Sequence, residues 1–188
     1  MEIIALQAHR KEASGKVESK KIRRNGQVPA VMYKSGGGEA IHFNLDAPDL
    51  RPLVFTPKFK MAEITLDGKV HRGIVKDIQF HPVTEAVMHL DFLELVPGVK
   101  FKASVPVRFI GTSKGVREGG KFMAKMRNVT VMTTPEKAVD EVSADITTME
   151  LGSTIRVRDI IVPNGVEIMN TPAVPIASIE VPRALKAK

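Results

Sequence analysis

The chain of 188 residues contains no cysteine and no tryptophan, and Tyr33 is its only tyrosine. Without cysteine it forms no disulfide, no zinc–thiolate site, no iron–sulfur cluster and no thiol nucleophile. This composition suits a reducing compartment such as the cytoplasm. The hydrophobic fraction of 43% is normal for a globular protein, so the chain has enough apolar residues to build a core.

Segments and motifs that would assign the chain to a membrane or to an enzyme class are also missing. No run of about 18 apolar residues is present, so the sequence predicts no membrane span. The start, MEIIALQAHRKE, lacks the layout of a signal peptide, and its two acids argue against a transit peptide. The phosphate-binding pattern G-x-x-x-x-G-K-S/T, the dinucleotide pattern G-x-G-x-x-G and the nucleophile pattern G-x-S-x-G do not occur. We therefore expect a protein that is not an enzyme and uses no cofactor.

What the chain has in excess is positive charge. Its formal net charge is +7 and its pI is near 9.7. A basic protein is attracted to polyanions such as nucleic acids, although the same charge also serves solubility. Residues 1–98 carry a net charge of +2 and residues 99–188 a net charge of +5, so the excess is not confined to one half.

Alternation of apolar and polar residues predicts a mainly β protein with a few short helices. The alternation occurs in 41–45, 100–109 and 140–146. Helices are predicted at 17–25, at 47–54 with Asp46 as N-cap, and at 147–151. Gly36-Gly37-Gly38 predicts a flexible hairpin loop, and 115–121 predicts a hairpin tip. Val96-Pro97-Gly98 marks a boundary, so we expect domains at 1–95 and 99–182 and a basic tail at 183–188.

A cluster of cations in the first thirty-four residues is the strongest functional signal. It comprises Arg10, Lys11, Lys16, Lys20, Lys21, Arg23, Arg24 and Lys34. In a helix, Lys16, Lys20, Arg23 and Arg24 fall at i, i+4, i+7 and i+8 and so line one face. Such a face is either a solvated surface or a site for an anion, and phosphate suits the arginine fork. Tyr33 follows at a strand end, where it either stacks on a ribose or base or is simply half-buried.

A set of polar side chains is the second signal. Gln79 and His81 alternate with apolar residues in 78–81, and His89 and Asp91 do so in 87–92. If the two strands pair, the four side chains meet on one surface suited to ribose hydroxyls and base edges in a shallow RNA minor groove. A metal or acid–base site and an ordinary solvated face are the alternatives, although the spacing matches no helical metal motif.

Two motifs in this order resemble the family of bacterial large-subunit ribosomal protein twenty-five. The first is Lys20–Tyr33, KKIRRNGQVPAVMY, and the second is KDIQFHP at 76–82 followed by HLDF at 89–92. The length and the second half resemble the long two-domain form, the general stress protein CTC type. The residues that carry this likeness are Gly115-Val116, Gly119-Gly120, Leu151-Gly152 and Asp159-Ile160. The resemblance covers nearly the whole chain. Lys34 stands where the family usually has glycine, and Ile22 where it usually has leucine.

The resemblance implies a six-stranded β-barrel N-terminal domain that binds 5S ribosomal RNA, followed by a mostly β C-terminal domain. It implies a cytoplasmic protein of the bacterial ribosome, with no membrane and no small-molecule substrate. The C-terminal domain is expected to contact neighbouring large-subunit proteins and rRNA. With Lys16 added from the helical pattern, the expected RNA-binding residues are Arg10, Lys16, Lys20, Arg23, Arg24, Tyr33, Gln79, His89 and Asp91.

Three hypotheses follow from the sequence. The first is a structural constituent of the large ribosomal subunit that binds 5S rRNA through the basic segment and the polar strand surface, and so acts in translation. The second is a metal-dependent enzyme that uses His81, His89 and Asp91. The third is a protein-binding stress factor that uses the surface of its β domain.

Overall fold

A computed structural model describes residues 2–11, 15–34 and 39–182. The chain divides into two compact units, Met1–Phe101 and Lys102–Lys188, which we call the first and the second unit. The domain bounds expected from the sequence, 1–95 and 99–182, stay predictions. The basic tail and the Gly36-Gly37-Gly38 loop lie outside the described residues.

The first unit is a closed barrel of six strands. Its elements are β1 (Ile3–Arg10), α1 (Lys16–Arg24), β2 (Gln27–Lys34), β3 (Ile41–Asp46), α2 (Arg51–Val54), β4 (Met61–Leu66), β5 (Lys69–Phe80) and β6 (Val87–Glu94). The strands follow the order β1-β3-β2-β6-β5-β4, and β1 pairs with β4 to close the ring. The pairs β1–β4 and β2–β6 are parallel, and the others are antiparallel. The expectation of a six-stranded barrel is confirmed.

Alternate side chains of each strand fill the barrel. Phe43 on β3 and Phe92 on β6 are almost fully buried, and their ring centroids lie 6.0 Å apart. Leu45 and Leu90, two residues along the same strands, are buried with them. Burying one such side chain stabilises the fold by about 1.5–3 kcal/mol. Asp91, between Leu90 and Phe92, faces outward with its side chain 31% exposed, whereas Asn44, between Phe43 and Leu45, is itself buried at 8% exposure.

Helix α1 begins one residue before the predicted 17–25 and ends at Arg24. Its one buried residue is Ile22, at 5% exposure, so this side chain anchors the helix to the barrel and leaves the cations outside. The helix stops because Gly26 adopts a φ of +78°, which glycine tolerates without strain. Within the described ranges, no helix is long and apolar enough to cross a membrane.

The helix predicted at 47–54 is shorter and starts differently. Pro48–Leu50 forms a 3-10 turn, and α2 covers only Arg51–Val54. Asp46 is not its N-cap, because it ends β3, where its Oδ1 accepts a hydrogen bond of 3.2 Å from Gln27 Nε2. Because Gln27 on β2 binds the Asp46 carboxylate, this carboxylate does not cap a helix.

The second unit is built from two sheets. Its elements are β7 (Phe101–Ile110), α3 (Lys114–Arg117), β8 (Lys121–Ala124), β9 (Asn128–Thr133), β10 (Val142–Asp145), β11 (Thr154–Arg156), β12 (Glu167–Ile168) and β13 (Pro175–Glu180). One sheet has the order β10-β7-β9-β12 and the other β11-β13-β8. Val105, Val131, Ile176 and Ile179 lie in its interior. The expectation of a mostly β second half is confirmed, as is the strand predicted over 100–109.

Two local predictions in the second unit are wrong. The segment 115–121 is not a hairpin tip: α3 opens with Ser113, whose Oγ accepts from the Val116 backbone N–H at 3.2 Å, and β8 then pairs with β13. No helix forms at 147–151. Asp145 Oδ1 instead accepts from the backbone N–H of Thr147 at 2.8 Å and from its hydroxyl at 2.6 Å, which makes a turn.

Candidate nucleic-acid interface

Strands β5 and β6 form the centre of a polar surface on the outside of the barrel. They pair antiparallel, with Gln79 opposite His89 and Asp77 opposite Asp91. These side chains point outward because Leu90, between His89 and Asp91, is fully buried. The pairing that the sequence analysis assumed is therefore confirmed. We call Asp77, Gln79, His89 and Asp91, together with Tyr33 of β2, the polar strand face.

His89 and Asp91 are held together within this face. His89 Nδ1 lies 2.8 Å from Asp91 Oδ1, and both side chains are about one-third exposed, at 31%. In the neutral imidazole, Nδ1–H donates to the carboxylate and Nε2 remains as an acceptor. The carboxylate thus selects one tautomer of the ring, and the pair offers one acceptor of defined position next to a second acceptor oxygen.

Tyr33 is brought beside the pair by the parallel contact of β2 with β6, in which Val31 lies opposite Asp91. Burial raises the pKa of the Tyr33 hydroxyl above its ordinary value of 10.0, and the charges of Asp91 and then Asp77 raise it further. The phenol is therefore kept as a neutral hydroxyl that is able to donate. Asp77 was not singled out in the sequence analysis, although its alternation with Ile78 and Gln79 carried the signal.

A cationic cleft lies next to the polar strand face. It has a volume of about 650 Å³, and its lining includes Lys20, Arg23, Arg24, Arg51, Phe55 and Met88. Helix α1 supplies the first three of these cations and α2 supplies Arg51, which the sequence analysis missed. Arg23 Nη1 donates to the Met88 carbonyl oxygen at 3.3 Å. Because Met88 precedes His89 on β6, this bond connects α1 to the edge of the polar strand face.

Two predicted cations lie outside both groups. Lys16 is exposed at the start of α1 and does not line the cleft. Arg10 is exposed at the end of β1, where Nη1 lies 3.5 Å from Asp67 Oδ2. Lys34, where the family usually has glycine, continues β2 without a positive φ and places Nζ 3.6 Å from Glu94 Oε2. Its backbone conformation therefore does not require glycine.

His81 does not join the polar strand face, contrary to prediction. The pairing of β5 with β6 shifts register after Gln79, and the His81 ring turns into the following loop. There its Nδ1 accepts from the backbone N–H groups of Val83 at 3.3 Å and Thr84 at 3.2 Å. Among the described residues, no three His, Cys, Asp or Glu side chains are placed to hold a metal ion. The metal site proposed for His81, His89 and Asp91 is therefore not formed.

The first unit is a barrel that carries cations on a helix and hydrogen-bonding side chains on the outside of its strands. These features define a class of basic, two-unit β proteins in which cations and hydrogen-bonding groups lie next to each other on one side of a barrel. Comparison with known proteins makes the class specific. Residues 6–92 match the model of the Ribosomal L25p family, and residues 100–183 match that of the ribosomal protein TL5 C-terminal domain.

Relatives match along both halves of the chain. The large ribosomal subunit protein bL25 of Amoebophilus asiaticus is 34% identical over 187 residues, covering 100% of this chain and 94% of that protein. The bL25 protein of Cytophaga hutchinsonii is 36% identical over 172 residues, covering 92% and 88%. That of Bacteroides fragilis is 34% identical over 167 residues, covering 89% and 84%.

The chain therefore belongs to the bacterial bL25 family of ribosomal proteins, in the long form of the CTC type. The resemblance seen in the sequence is confirmed. The family is structural and not enzymatic, so the expectation that the chain is not an enzyme is confirmed, and the metal-dependent hypothesis has no support.

Proposed function

We propose that this protein is a structural constituent of the large ribosomal subunit in the bacterial cytoplasm, that it binds 5S rRNA, and that the first unit carries the binding site. The observation that supports this most strongly is the adjacency of two unlike groups on the barrel. The polar strand face offers hydrogen-bonding groups that include the carboxylates of Asp77 and Asp91, and the cations of α1 lie beside it, joined through the bond from Arg23 to Met88.

The polar strand face and the cations make different kinds of contact with RNA. Tyr33, Gln79 and the His89–Asp91 pair contact ribose hydroxyls and base edges, which A-form RNA presents in its wide, shallow minor groove. Arg10, Lys16, Lys20, Arg23 and Arg24 contact phosphates on either side. Phosphate contacts set orientation and affinity, and base-edge contacts set specificity. Asp91 accepts from a ribose hydroxyl or an exocyclic amine, because a carboxylate facing a phosphate would be repelled.

The second unit contacts neighbouring rRNA and proteins of the large subunit. The basis for this part of the proposal is the net charge of +5 in residues 99–188. Some of its cations are occupied within the unit, since Arg108 Nη1 lies 2.8 Å from Glu141 Oε1. We assign the 5S rRNA contact to the first unit because the polar strand face and the cations of α1 both lie there.

The decisive test is a titration of the full-length protein against 5S rRNA with transfer RNA as competitor. We expect His89→Ala to weaken 5S rRNA binding by about 1–3 kcal/mol, roughly 5-fold to 150-fold in affinity, and to leave transfer RNA binding unchanged. His71→Ala is the matched control, because His71 Nδ1 contacts Glu94 Oε1 at 2.9 Å in the same kind of pair but lies outside the polar strand face.

Two results would contradict the proposal. One is a wild-type affinity for 5S rRNA no greater than that for transfer RNA at physiological salt. Such a protein would have only a basic surface. The other is an equal loss of 5S rRNA affinity in His71→Ala and His89→Ala, since that would trace the effect to the stability of the barrel and not to a contact with RNA.

A further inference from the structure

The cationic cleft contains an aromatic ring that the fold leaves exposed. Phe55 follows α2 and is 60% exposed, although phenylalanine is normally among the buried residues. Its ring is nonetheless held in place. The ring centroid of Phe80 lies 6.2 Å away at an interplanar angle of 56°, and the Thr56 hydroxyl donates to the Pro52 carbonyl oxygen at 3.0 Å, which closes the turn. The cleft therefore presents an ordered aromatic surface to solvent.

The charge around this ring is almost entirely positive. Lys20, Arg24 and Arg51 line the cleft, and none of them forms an ion pair with an acid in the described ranges. Glu85, in the loop after β5, is the one acidic side chain of the lining that the structure describes. Its φ of +55° is a conformation that non-glycine residues seldom adopt, and the loop holds it because the Glu85 N–H donates to the His81 carbonyl oxygen at 3.0 Å.

An aromatic face beside several cations is the combination that binds an unpaired nucleotide. Bases stack on aromatic rings when they leave a helix, and guanidinium groups hold the adjoining phosphate. The volume of about 650 Å³ lies within the range of small-ligand sites and suits a single nucleotide. An acidic peptide would satisfy the cations but would leave Phe55 without a partner.

We infer that the cationic cleft holds one unstacked nucleotide of an RNA strand, with its base against Phe55 and its phosphate on Arg51 and Arg24. The inference rests on the proposed function, since it describes a second mode of contact with RNA next to the polar strand face. The polar strand face contacts the groove of an RNA helix, and the cleft binds a base that is unstacked from that helix.

The experiment measures binding of a fluorescein-labelled six-nucleotide single strand of adenylate to the full-length protein by anisotropy. We expect Phe55→Leu, which keeps an apolar side chain but removes the ring, to weaken binding by about fivefold or more. Phe55→Tyr restores it, because the ring returns. The matched control is Val83→Ala, a change at a more exposed apolar residue outside the cleft lining, which leaves binding unchanged.

A second arm separates stacking from charge. An unlabelled hexaglutamate peptide competes poorly with the oligonucleotide if the base contributes to binding. Equal competition by the peptide, or equal affinity of wild type and Phe55→Leu, would overturn the inference. Either result is distinguishable from failure of the proposed function, because the 5S rRNA titration with His89→Ala does not depend on Phe55.

Discussion

Replacing Arg24 with glutamine gives a quantitative test of the phosphate contacts assigned to α1. Arg24 is exposed, lines the cationic cleft and has no ion pair among the described residues. It is therefore free to neutralise a phosphate and release a counterion. Arg23 is less suitable, because its bond to the Met88 carbonyl oxygen also supports the packing of α1, and its loss would mix stability with binding.

The magnitude follows from the number of α1 cations that line one face of the helix. Each neutralised phosphate contributes about 0.7–0.9 to the slope of log affinity against log salt. The four cations Lys16, Lys20, Arg23 and Arg24 therefore contribute a slope of about 3, which is a loss of roughly 60-fold in affinity between about 50 and 200 mM salt. With Arg24 removed, the loss over the same range falls to roughly 25-fold.

The assay is the 5S rRNA titration repeated at several salt concentrations with wild type, Arg24→Gln and a charge-matched control. Arg72→Gln is the control, because it removes the same charge from an exposed arginine of the barrel whose Nε already lies 3.1 Å from Glu63 Oε2. We expect the slope to change for Arg24→Gln and not for Arg72→Gln. An unchanged slope for Arg24→Gln would remove this residue from the interface, and equal changes in both variants would show an effect of net charge alone.

Two further predictions concern the barrel itself. Tyr33 is the only tyrosine and the chain lacks tryptophan, so tyrosinate absorbance reports this one group. Asp91→Asn should lower its pKa, though not to the ordinary value, because burial is the larger cause. Since the folded-state pKa is raised, the contribution of Tyr33 to the free energy of unfolding is complete below about pH 10 and is lost as the pH rises through that pKa. An unchanged titration in Asp91→Asn would show that the carboxylate is not near the phenol. Phe92→Ala should lower the free energy of unfolding by about 3–5 kcal/mol in urea, because the side chain is fully buried against Phe43. A loss below about 1 kcal/mol would contradict its place in the core.

Local patterns along the chain were sufficient to predict several elements of both units. Alternation identified the strand over 100–109 and the outward position of His89 and Asp91, because side chains in a strand alternate between its two faces whatever the strand pairs with. The start and end of α1 were predicted to within one residue, since Asn25-Gly26 is a stop signal contained in a few neighbouring residues.

Predictions failed where a distant partner decided the local structure. Asp46 is a good helix N-cap by residue type, but Gln27 on β2 takes its carboxylate. The segment at 115–121 has the glycines of a hairpin, but β8 pairs with β13, far along the chain. His81 alternates with Gln79 in the sequence, yet a register shift turns its ring into the loop. For Asp46 and β8 the competing partner lies outside the window in which a local pattern is read. For His81 the groups that hold the ring are only two and three residues away, and the distant cause is the register shift against β6.

The sequence by itself determined the mainly β character, the basic excess, the cation spacing of α1 and the two motifs that resemble the family. These properties depend on residue type and short spacing alone. Only the tertiary structure decided that the parallel pairing of β2 with β6 places Tyr33 beside Asp91, and that Arg51 and Phe55 line a cleft with α1. Closing the barrel pairs strands that are far apart in the sequence. The free energy gained by burying the inner faces of all six strands selects which strands become neighbours.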